Sequence, residues 1–377
     1  MKICIISGAP LENGGGIERF IESLTGNPIM NDIDYTIYYP VQNDVPDNKT
    51  PNNDRITAKP FSTPFSSKFR LFKPINLFIY NLKIFFDLYK NHNNFDIIHV
   101  NGVNGSLFPN KIRYKVVFTA HGNSLFVFSQ TLLVMNSFEK YLNVINSLIS
   151  YLYERHAYLN SNRVVLLTPK SESEFESIKT LNNVSIIPNG IKSPIIRPGA
   201  KNEIIKLFGI DGNKILCLWI GRDKKRKGLE IALKIAKNND SIFLFIVGID
   251  VLVQGSKNVI VLGSVKKDEL IRLYSGCDVL IFPSIYESMS YTVLEAVSFG
   301  LSILSFRTEF MTYIVGDDYP MLCDTEQEML TVLRRYCTDE YFRYTLKNIS
   351  KALSKKFTED MMCNRYHTLY EMMINEI

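Results

Sequence analysis

The chain has 377 residues, a length that predicts two domains at about 150 residues each. Hydrophobic residues make up 46% and charged residues 21%, which excludes a disordered or collagen-like chain. The net charge of +5 is only mildly basic and suits an anionic small molecule or an anionic membrane surface as partner. No stretch approaches roughly 18 uninterrupted apolar residues, and the first apolar run is short, so we expect neither a spanning helix nor a signal peptide.

Six cysteines are scattered along the chain, without a C-x-x-C pair or a histidine at metal-ligand spacing. This usage is typical of reduced thiols and predicts a cytoplasmic protein. The string Asp32-Ile33-Asp34 matches a D-x-D metal pattern, but it opens an apolar run with no nearby ligands. We interpret it as a loop and expect no metal site.

Short apolar runs, each followed by turn residues, predict the buried strands of parallel sheets. They lie at 2–7, 35–39, 97–100, 116–119, 164–167 and 185–187, and then at 215–220, 242–247, 259–262, 279–282 and 302–306. Helix-period patterns alternate with them, as in α/β proteins. We therefore predict two Rossmann-like domains, 1–190 and 191–356, followed by a terminal helix at 357–377.

Residues 69–90 are almost all aromatic or aliphatic. The polar residues that fall in register along a helix are Asn76, Tyr80, Lys83, Asp87 and Lys90. Their spacing puts a narrow polar stripe on an otherwise apolar helix. One interpretation is a helix buried against the sheet on most sides; the other is an interfacial helix that docks on lipid, helped by Lys68, Arg70 and Lys73.

Three glycines at 14–16 separate the first predicted strand from the first predicted helix. Such a turn lets the backbone approach a phosphate or sugar, and the helix N-terminus favours an anion. It is not the dinucleotide fingerprint, because Arg19 stands where the third glycine should be, and the chain has no P-loop motif. A plain surface turn would give the same pattern.

His121 follows the predicted strand 116–119, at an edge where α/β sheets bind ligands. A lone histidine is more often structural than functional, but this position favours contact with a substrate.

The segment Gly221–Gly228 carries five cations among positions 222–227, between a predicted strand and a predicted helix. A run of this kind is usually a solvated face, and a nucleic-acid patch is a second alternative. Its place at the end of a strand favours a phosphate site.

Two glutamates, Glu287 and Glu295, follow the predicted strand 279–282. If both were helical they would lie ~12 Å apart along the helix axis, too far for an acid/base pair on one bond. They suit the two ends of one long ligand. The alternative is a capping box, Thr292-x-x-Glu295, with Glu287 as an ordinary loop residue.

Together these motifs resemble the GT-B glycosyltransferases, specifically the retaining family 4 enzymes that use nucleotide sugars. The most specific part is Pro283-Ser284 followed by Glu287, seven residues, Glu295-Ala296 and then Gly300. The other matching pieces are Gly15-Gly16-Ile17-Glu18-Arg19, His121-Gly122, Ile187-Pro188-Asn189-Gly190-Ile191, Gly221-Arg222 with Lys227-Gly228, Val247-Gly248, and Gly263 ahead of Tyr274-Ser275-Gly276-Cys277-Asp278. The resemblance implies two Rossmann-like domains facing across a cleft, with a C-terminal helix that crosses back to the N-terminal domain.

The resemblance also implies residue roles. Glu287, at the transferred sugar, and His121, near the reacting carbon, would be catalytic. The donor-binding residues would be Gly15, Gly16, Arg222, Lys227, Met289, Ser290, Tyr291, Thr292 and Glu295. Among these, Arg222 and Lys227 would hold the diphosphate and Glu295 the ribose hydroxyls. The chain departs from the family pattern at Asp223, where an apolar residue is usual, and at Thr308-Glu309-Phe310, where a glycine pair is common.

These features predict a retaining transferase that moves a hexosyl unit from a nucleotide-diphosphate sugar, with UDP as the first choice, without cofactor or metal. The N-terminal domain would bind a hydroxyl acceptor, such as a lipid-linked or surface-polysaccharide glycan. We expect a cytoplasmic protein, peripheral at the cytoplasmic face of an anionic membrane, without nucleic acid as a partner. The alternatives are a GT-B epimerase or phosphorylase, or a non-catalytic module that binds sugar or nucleic acid.

Overall fold

The computed structural model describes residues 1–11, 15–42, 53–64, 73–107, 111, 113–122, 139–169, 171, 183–250 and 256–376. The chain divides into two compact units, the first made of 1–190 with 359–377 and the second of 191–358. The second boundary lies two residues beyond the predicted one.

The first unit is built on a parallel sheet with helices between its strands. Its strands are β1 (Lys2–Ser7), β2 (Asp34–Gln42), β3 (Ile56–Thr63), β4 (Ile97–Asn101), β5 (Val116–Ala120), β6 (Arg163–Leu166) and β7 (Val184–Ile186). The helices of this part of the chain are α1 (Gly16–Gly26), α2 (Lys73–Asn91) and α3 (Glu139–Leu159). The strand order is β3-β2-β1-β4-β5-β6-β7, and every pair is parallel.

The second unit repeats this plan. Its strands are β8 (Ile215–Ile220), β9 (Ile242–Val247), β10 (Val259–Gly263), β11 (Val279–Phe282), β12 (Ser302–Phe306) and β13 (Leu322–Cys323). Its helices are α4 (Ala200–Phe208), α5 (Leu229–Lys237), α6 (Lys267–Gly276), α7 (Tyr291–Ser298), α8 (Glu309–Val315), α9 (Glu326–Thr338) and α10 (Glu340–Leu353). The strands follow the order β10-β9-β8-β11-β12-β13, again all parallel.

Both sheets reverse their winding in the middle, between β1 and β4 in one unit and between β8 and β11 in the other. All six residues of β9 are buried, as expected of a strand with helices on both faces. The prediction of two Rossmann-like domains is therefore confirmed. Because ligands bind at the carboxyl ends of the strands where the order reverses, these two points are where functional side chains should collect.

Strand β3 is absent from the predicted set, since Pro60 and its polar neighbours interrupt the apolar pattern. It forms the outer edge of the first sheet, where Pro60 pairs with Tyr39 of β2. An edge strand tolerates the missing proline N–H. The other missed strand, β13, has only two residues.

The terminal helix, α11 (Glu359–Asn375), belongs to the first unit, as predicted. Near its start, Asn27 donates a hydrogen bond to Asp360 at 2.8 Å. Near its end, the hydroxyl of Tyr370 lies 2.6 Å from Nδ1 of the buried His99. The ammonium of Lys115 donates to the last carbonyls of the helix, where a cation also suits the helix dipole. Polar contacts near both ends thus fix α11 to the rest of the first unit.

Helix α2 buries the face that carries Leu77, Tyr80, Ile84 and Leu88, and its polar stripe borders that face. Asp87 forms an ion pair with Lys59 of β3 at 2.5 Å, and Lys83 donates to the backbone carbonyl of Ser62 at 2.6 Å. The exposed large hydrophobic side chains on the helix are Ile75, Phe78, Phe85, Phe86 and Tyr89. The interpretation that this helix is buried on most sides is therefore wrong. Lys68 and Arg70 lie outside the described residues, as does the side chain of Lys73.

The exposed apolar residues of α2 do not belong to a membrane span. Among the helices within the described ranges, none is both long and apolar enough to cross a bilayer.

Candidate active site

Two loops meet at the reversal point of the second sheet. The basic loop, residues 221–228, leaves β8, and the loop 283–290 leaves the adjacent strand β11. Gly228 has φ +64°, and a Cβ there would lie 2.2 Å from the carbonyl oxygen of Pro283. The backbone N–H of Ile285 donates to the carbonyl of Arg226 at 3.1 Å. Only glycine allows this close approach, which brings the cations of one loop to the carboxylate of the other.

Glu287 lies between two of those cations. Its Oε1 is 2.6 Å from Nζ of Lys227 and 2.5 Å from Nη1 of Arg226, and it also accepts from the hydroxyl of Ser284 at 3.2 Å. The side chains of Glu287 and Lys227 are only 12% and 11% exposed. The predicted sugar-contacting carboxylate and the predicted phosphate-binding lysine are therefore neighbours in one half-buried cluster.

Lys227 makes two aromatic contacts at this position. Its ammonium lies 4.7 Å from the centre of the Phe282 ring, and its carbonyl accepts from the indole N–H of Trp219 at 3.0 Å. Burial lowers the pKa of Lys227, while the charge of Glu287 opposes that shift. A desolvated ammonium interacts more strongly with an incoming phosphate than one in bulk water.

The five cations of the basic loop divide into two groups. Arg226 and Lys227 turn inward to Glu287, whereas Arg222, Lys224 and Lys225 are exposed. The interpretation as a solvated face therefore fits three of the five. Asp223, the departure from the family pattern, accepts from the backbone N–H of Arg226 at 3.1 Å and lies 3.5 Å from its Nε. Its negative charge is thus balanced within the loop.

Glu295 lies on α7, whereas Glu287 lies in the loop before that helix. The hydroxyl of Tyr274 donates to Oε2 of Glu295 at 2.8 Å, and the Tyr274 ring stacks on Phe299 with centroids 5.3 Å apart. The capping-box alternative is wrong, because the helix begins at Tyr291 and Thr292 is already its second residue.

The segment Met289–Thr292 forms the start of α7. Met289, Ser290 and Tyr291 are buried, and Ser290 is the N-cap residue. The N–H groups of the first helical turn have no acceptor within the helix, and the helix dipole adds positive potential there. The segment therefore favours an anion, and its binding to the donor phosphate stays a prediction.

The glycine turn of the first unit caps α1. Gly15 is the N-cap residue and Gly16 begins the helix, while Gly14 lies outside the described residues. The carboxylate of the buried Glu18 accepts a hydrogen bond from the backbone N–H of Gly15. The turn thus places a carboxylate, as well as a helix N-terminus, at the end of β1.

His121 directly follows β5 and pairs with a residue that sequence reasoning missed. Its Nε2 lies 3.0 Å from Oδ1 of Asn101, the last residue of β4, and the edge of its ring packs against Phe20. Burial lowers the pKa of His121 to about 4, so the imidazole is neutral near pH 7. Among the described residues, Nδ2 of the buried Asn101 has no hydrogen-bond partner. The only signal for Asn101 in the sequence is its place between a strand and Gly102.

The string Asp32-Ile33-Asp34, which matches the D-x-D pattern, does not bring its two carboxylates together as metal ligands. Asp32 pairs with His367 of α11 at 3.0 Å, and Asp34 begins β2. Within the part of the chain that the structure describes, no group of three or more potential ligands could hold a metal ion.

Two family models match the chain and together span most of it. The model described as glycosyltransferase family 4 covers residues 14–193, and the model of glycosyl transferases group 1 covers 200–352. The chain belongs to the group 1, family 4 glycosyltransferases. The second match contains the whole Lys227–Glu287–Glu295 region.

Curated relatives of this glycosyltransferase include enzymes of bacterial surface glycans. It is 21% identical to the O-antigen biosynthesis glycosyltransferase WclY of Escherichia coli, over 81% of this chain and 88% of that one. It is 25% identical to an uncharacterized 41.2 kDa protein of the Klebsiella pneumoniae cps region, over 74% and 80%. It is 24% identical to a UDP-Gal:alpha-D-GlcNAc-diphosphoundecaprenol alpha-1,3-galactosyltransferase of E. coli, over 51% of this chain and 55% of that one.

Solved structures confirm the GT-B fold. Sucrose-phosphate synthase from Thermosynechococcus elongatus aligns with a TM-score of 0.79 at 14% identity, covering 99% of this chain and 98% of that one. Anabaena HepE, solved in complex with UDP and glucose, aligns with a TM-score of 0.71 at 16% identity, over 99% and 100%.

Proposed function

We propose that this glycosyltransferase moves a hexosyl unit, with retention of configuration, from a nucleotide-diphosphate sugar to a glycan hydroxyl. The observation that carries the proposal is the Lys227–Glu287 pair beside the start of α7, at the reversal point of the second sheet. The family matches and the UDP-bound HepE structure support a nucleotide-sugar donor, with UDP as the first choice.

The ribose, the diphosphate and the sugar of the donor can each be assigned to side chains of the second unit. Glu295, oriented by Tyr274, suits the ribose hydroxyls. Lys227, Arg222 and the first turn of α7 suit the diphosphate, since a guanidinium grips two oxygens and an ammonium adds a point charge. Glu287 suits a hydroxyl of the transferred sugar.

The same groups explain why we propose a reaction without a metal. Negative charge grows on the nucleotide diphosphate as the sugar–phosphate bond breaks. Cations and helix N–H groups fixed before the reaction begins can stabilise that charge without reorganising. His121 of the first unit would act as a neutral hydrogen-bonding group rather than as an acid, because burial lowers its pKa.

The donor proposal is tested by thermal-shift screening against a panel of UDP-, GDP- and ADP-sugars. A ligand that binds only the folded protein raises its melting temperature. We expect a rise with one of these nucleotide sugars, and a smaller rise for Glu295→Ala at the same ligand concentration. Unchanged melting temperatures across the whole panel would overturn the proposal.

We further propose that the acceptor is a lipid-linked glycan, met at the cytoplasmic face of an anionic membrane. The exposed apolar residues of α2, among them Phe78 at 49% and Phe86 at 55%, support this. Helix α3 of the same unit packs beside α2 and exposes three more, Ile145, Leu148 and Leu152. The exposed Lys83 and Lys90 suit anionic headgroups. The E. coli relative whose name includes diphosphoundecaprenol, and the six free cysteines, favour the same setting.

Vesicle co-sedimentation tests this acceptor setting. We expect binding to phosphatidylcholine vesicles that contain phosphatidylglycerol, weaker at high salt, because surface charge attraction is screened. Phe78→Ser with Phe86→Ser should abolish it. The matched control is Tyr341→Ser with Tyr344→Ser, which removes two exposed aromatic residues from α10 of the other unit. Absence of binding at low salt, or equal loss in both double variants, would contradict the proposal.

A further inference from the structure

The carboxylate of Glu287 has two cationic partners, although one would balance its charge. Both Arg226 and Lys227 reach the same oxygen, Oε1, at 2.5 and 2.6 Å. A donor diphosphate would draw Lys227 towards itself, since its own charge exceeds that of one carboxylate. Without a second cation, the departure of Lys227 would leave Glu287 unpaired at 12% exposure, and an unpaired, poorly solvated charge is costly.

Arg226 is anchored in a way that suits it to remain. Its Nη1 donates to the carbonyl of Tyr286 at 3.2 Å, its Nε lies 3.5 Å from Asp223, and its own carbonyl accepts from Ile285. The guanidinium fork is rigid, whereas the lysine ammonium ends a flexible four-carbon chain. Arg226 is therefore held by contacts to both loops, whereas Lys227 is able to change partner.

We propose that Arg226 is a positioning residue that holds and neutralises Glu287, so that Lys227 is released to bind the donor diphosphate. This inference rests on the proposed function, because it takes the nucleotide diphosphate as the ligand of Lys227. Arg226 itself makes no contact with the donor in this account. It acts through Glu287, and the absence of Glu287 should therefore remove its effect.

A double-mutant cycle on nucleotide binding tests this dependence. The dissociation constant of UDP is measured by calorimetry for the wild type, Arg226→Gln, Glu287→Gln and the double variant, with GDP and ADP as alternative probes. We expect Arg226→Gln to weaken binding roughly tenfold, because Lys227 then stays on Glu287. In the Glu287→Gln background, the same change should have no effect, since Lys227 is already released.

Two further variants keep the test decisive. Arg226→Lys retains the charge and should recover most of the affinity. Arg226→Met, which also removes the charge, replaces Arg226→Gln if that variant does not fold. Lys225→Gln, an exposed cation of the same loop, is the matched control and should bind UDP as the wild type does. An unchanged affinity in Arg226→Gln, or an equal loss in both backgrounds, would overturn the inference. A wild-type protein that binds no nucleotide at all would instead overturn the proposed function beneath it.

Discussion

Replacing Tyr274 by phenylalanine removes one hydroxyl and leaves the rest of the side chain in place. Tyr274 is 2% exposed, and its hydroxyl donates to Oε2 of Glu295 at 2.8 Å. A hydrogen bond to a charged group contributes about 1.5–3 kcal/mol to stability. The stack on Phe299 survives in the variant, so the loss of free energy should come from the hydroxyl group.

If Glu295 binds the donor ribose, its carboxylate, without the hydrogen bond from Tyr274, would have to be reoriented each time the donor binds. An ordering cost of about 1.4 kcal/mol corresponds to a tenfold weaker affinity. We therefore expect Tyr274→Phe to raise the donor KM and the UDP dissociation constant about tenfold, with little change in kcat, because the reacting sugar is not involved.

The assay follows released nucleotide at a series of donor concentrations, with calorimetry of UDP binding beside it. Tyr341→Phe is the matched control, since its ring is 79% exposed on α10 and should change neither quantity. The melting temperature of Tyr274→Phe should fall by about 2–4 °C for each kcal/mol lost. A variant that melts earlier yet keeps the wild-type donor KM would refute the assignment of Glu295 to the donor.

Three more outcomes are expected. Glu295→Ala should mainly raise the donor KM, whereas Glu287→Ala should mainly lower kcat, because Glu287 would contact the transferred sugar, whose charge changes in the transition state. Equal effects of the two changes on UDP affinity would count against these roles. Turnover should survive exhaustive EDTA treatment, whereas Arg222→Ala and Lys227→Ala should each lower kcat/KM by ~100-fold. Activity that is lost in EDTA and restored by Mg²⁺ would contradict the proposal that cationic side chains replace a metal. Burial lowers the pKa of His99 to about 3, whereas the pKa in the unfolded chain is near 6.5. The neutral, buried His99 therefore contributes fully to stability above about pH 6.5, and this contribution is lost as the pH falls towards 3. The melting temperature of His99→Gln should therefore fall less than that of the wild type between about pH 7 and pH 5, and parallel losses would exclude His99 as the titrating group.

Local pattern alone was enough to place most of the strands. The apolar runs 215–220, 242–247, 279–282 and 302–306 match β8, β9, β11 and β12 residue for residue. A strand covered by helices on both faces must be apolar throughout, and its signal therefore lies entirely within its own residues. β3 carried no such signal, because an edge strand needs neither a continuous apolar run nor every backbone N–H.

The sequence also indicated which loops carry the chemistry, since the end of each parallel strand marks a position where ligands bind. It did not indicate which cations of the basic loop face the carboxylate. Arg226 and Lys227 reach Glu287 because β8 and β11 are neighbours in the sheet and because Gly228 allows contact with Pro283. That pairing joins positions about sixty residues apart, so only long-range hydrogen bonding between strands decides it.

Helix α2 shows the same division between sequence and tertiary structure. The spacing of its polar residues established a helix with one polar stripe, but a helical period has no inside or outside of its own. Packing within the first unit decided the direction, because Tyr80, Ile84 and Leu88 are buried in its core. Asp87 pairs with Lys59 at the border of that face, and Phe78 and Phe86 are left exposed. The sequence therefore determined the folding units, their strands and the loops that carry the site. Tertiary structure decided which side chains meet and which face solvent, because those choices depend on partners that are distant along the chain.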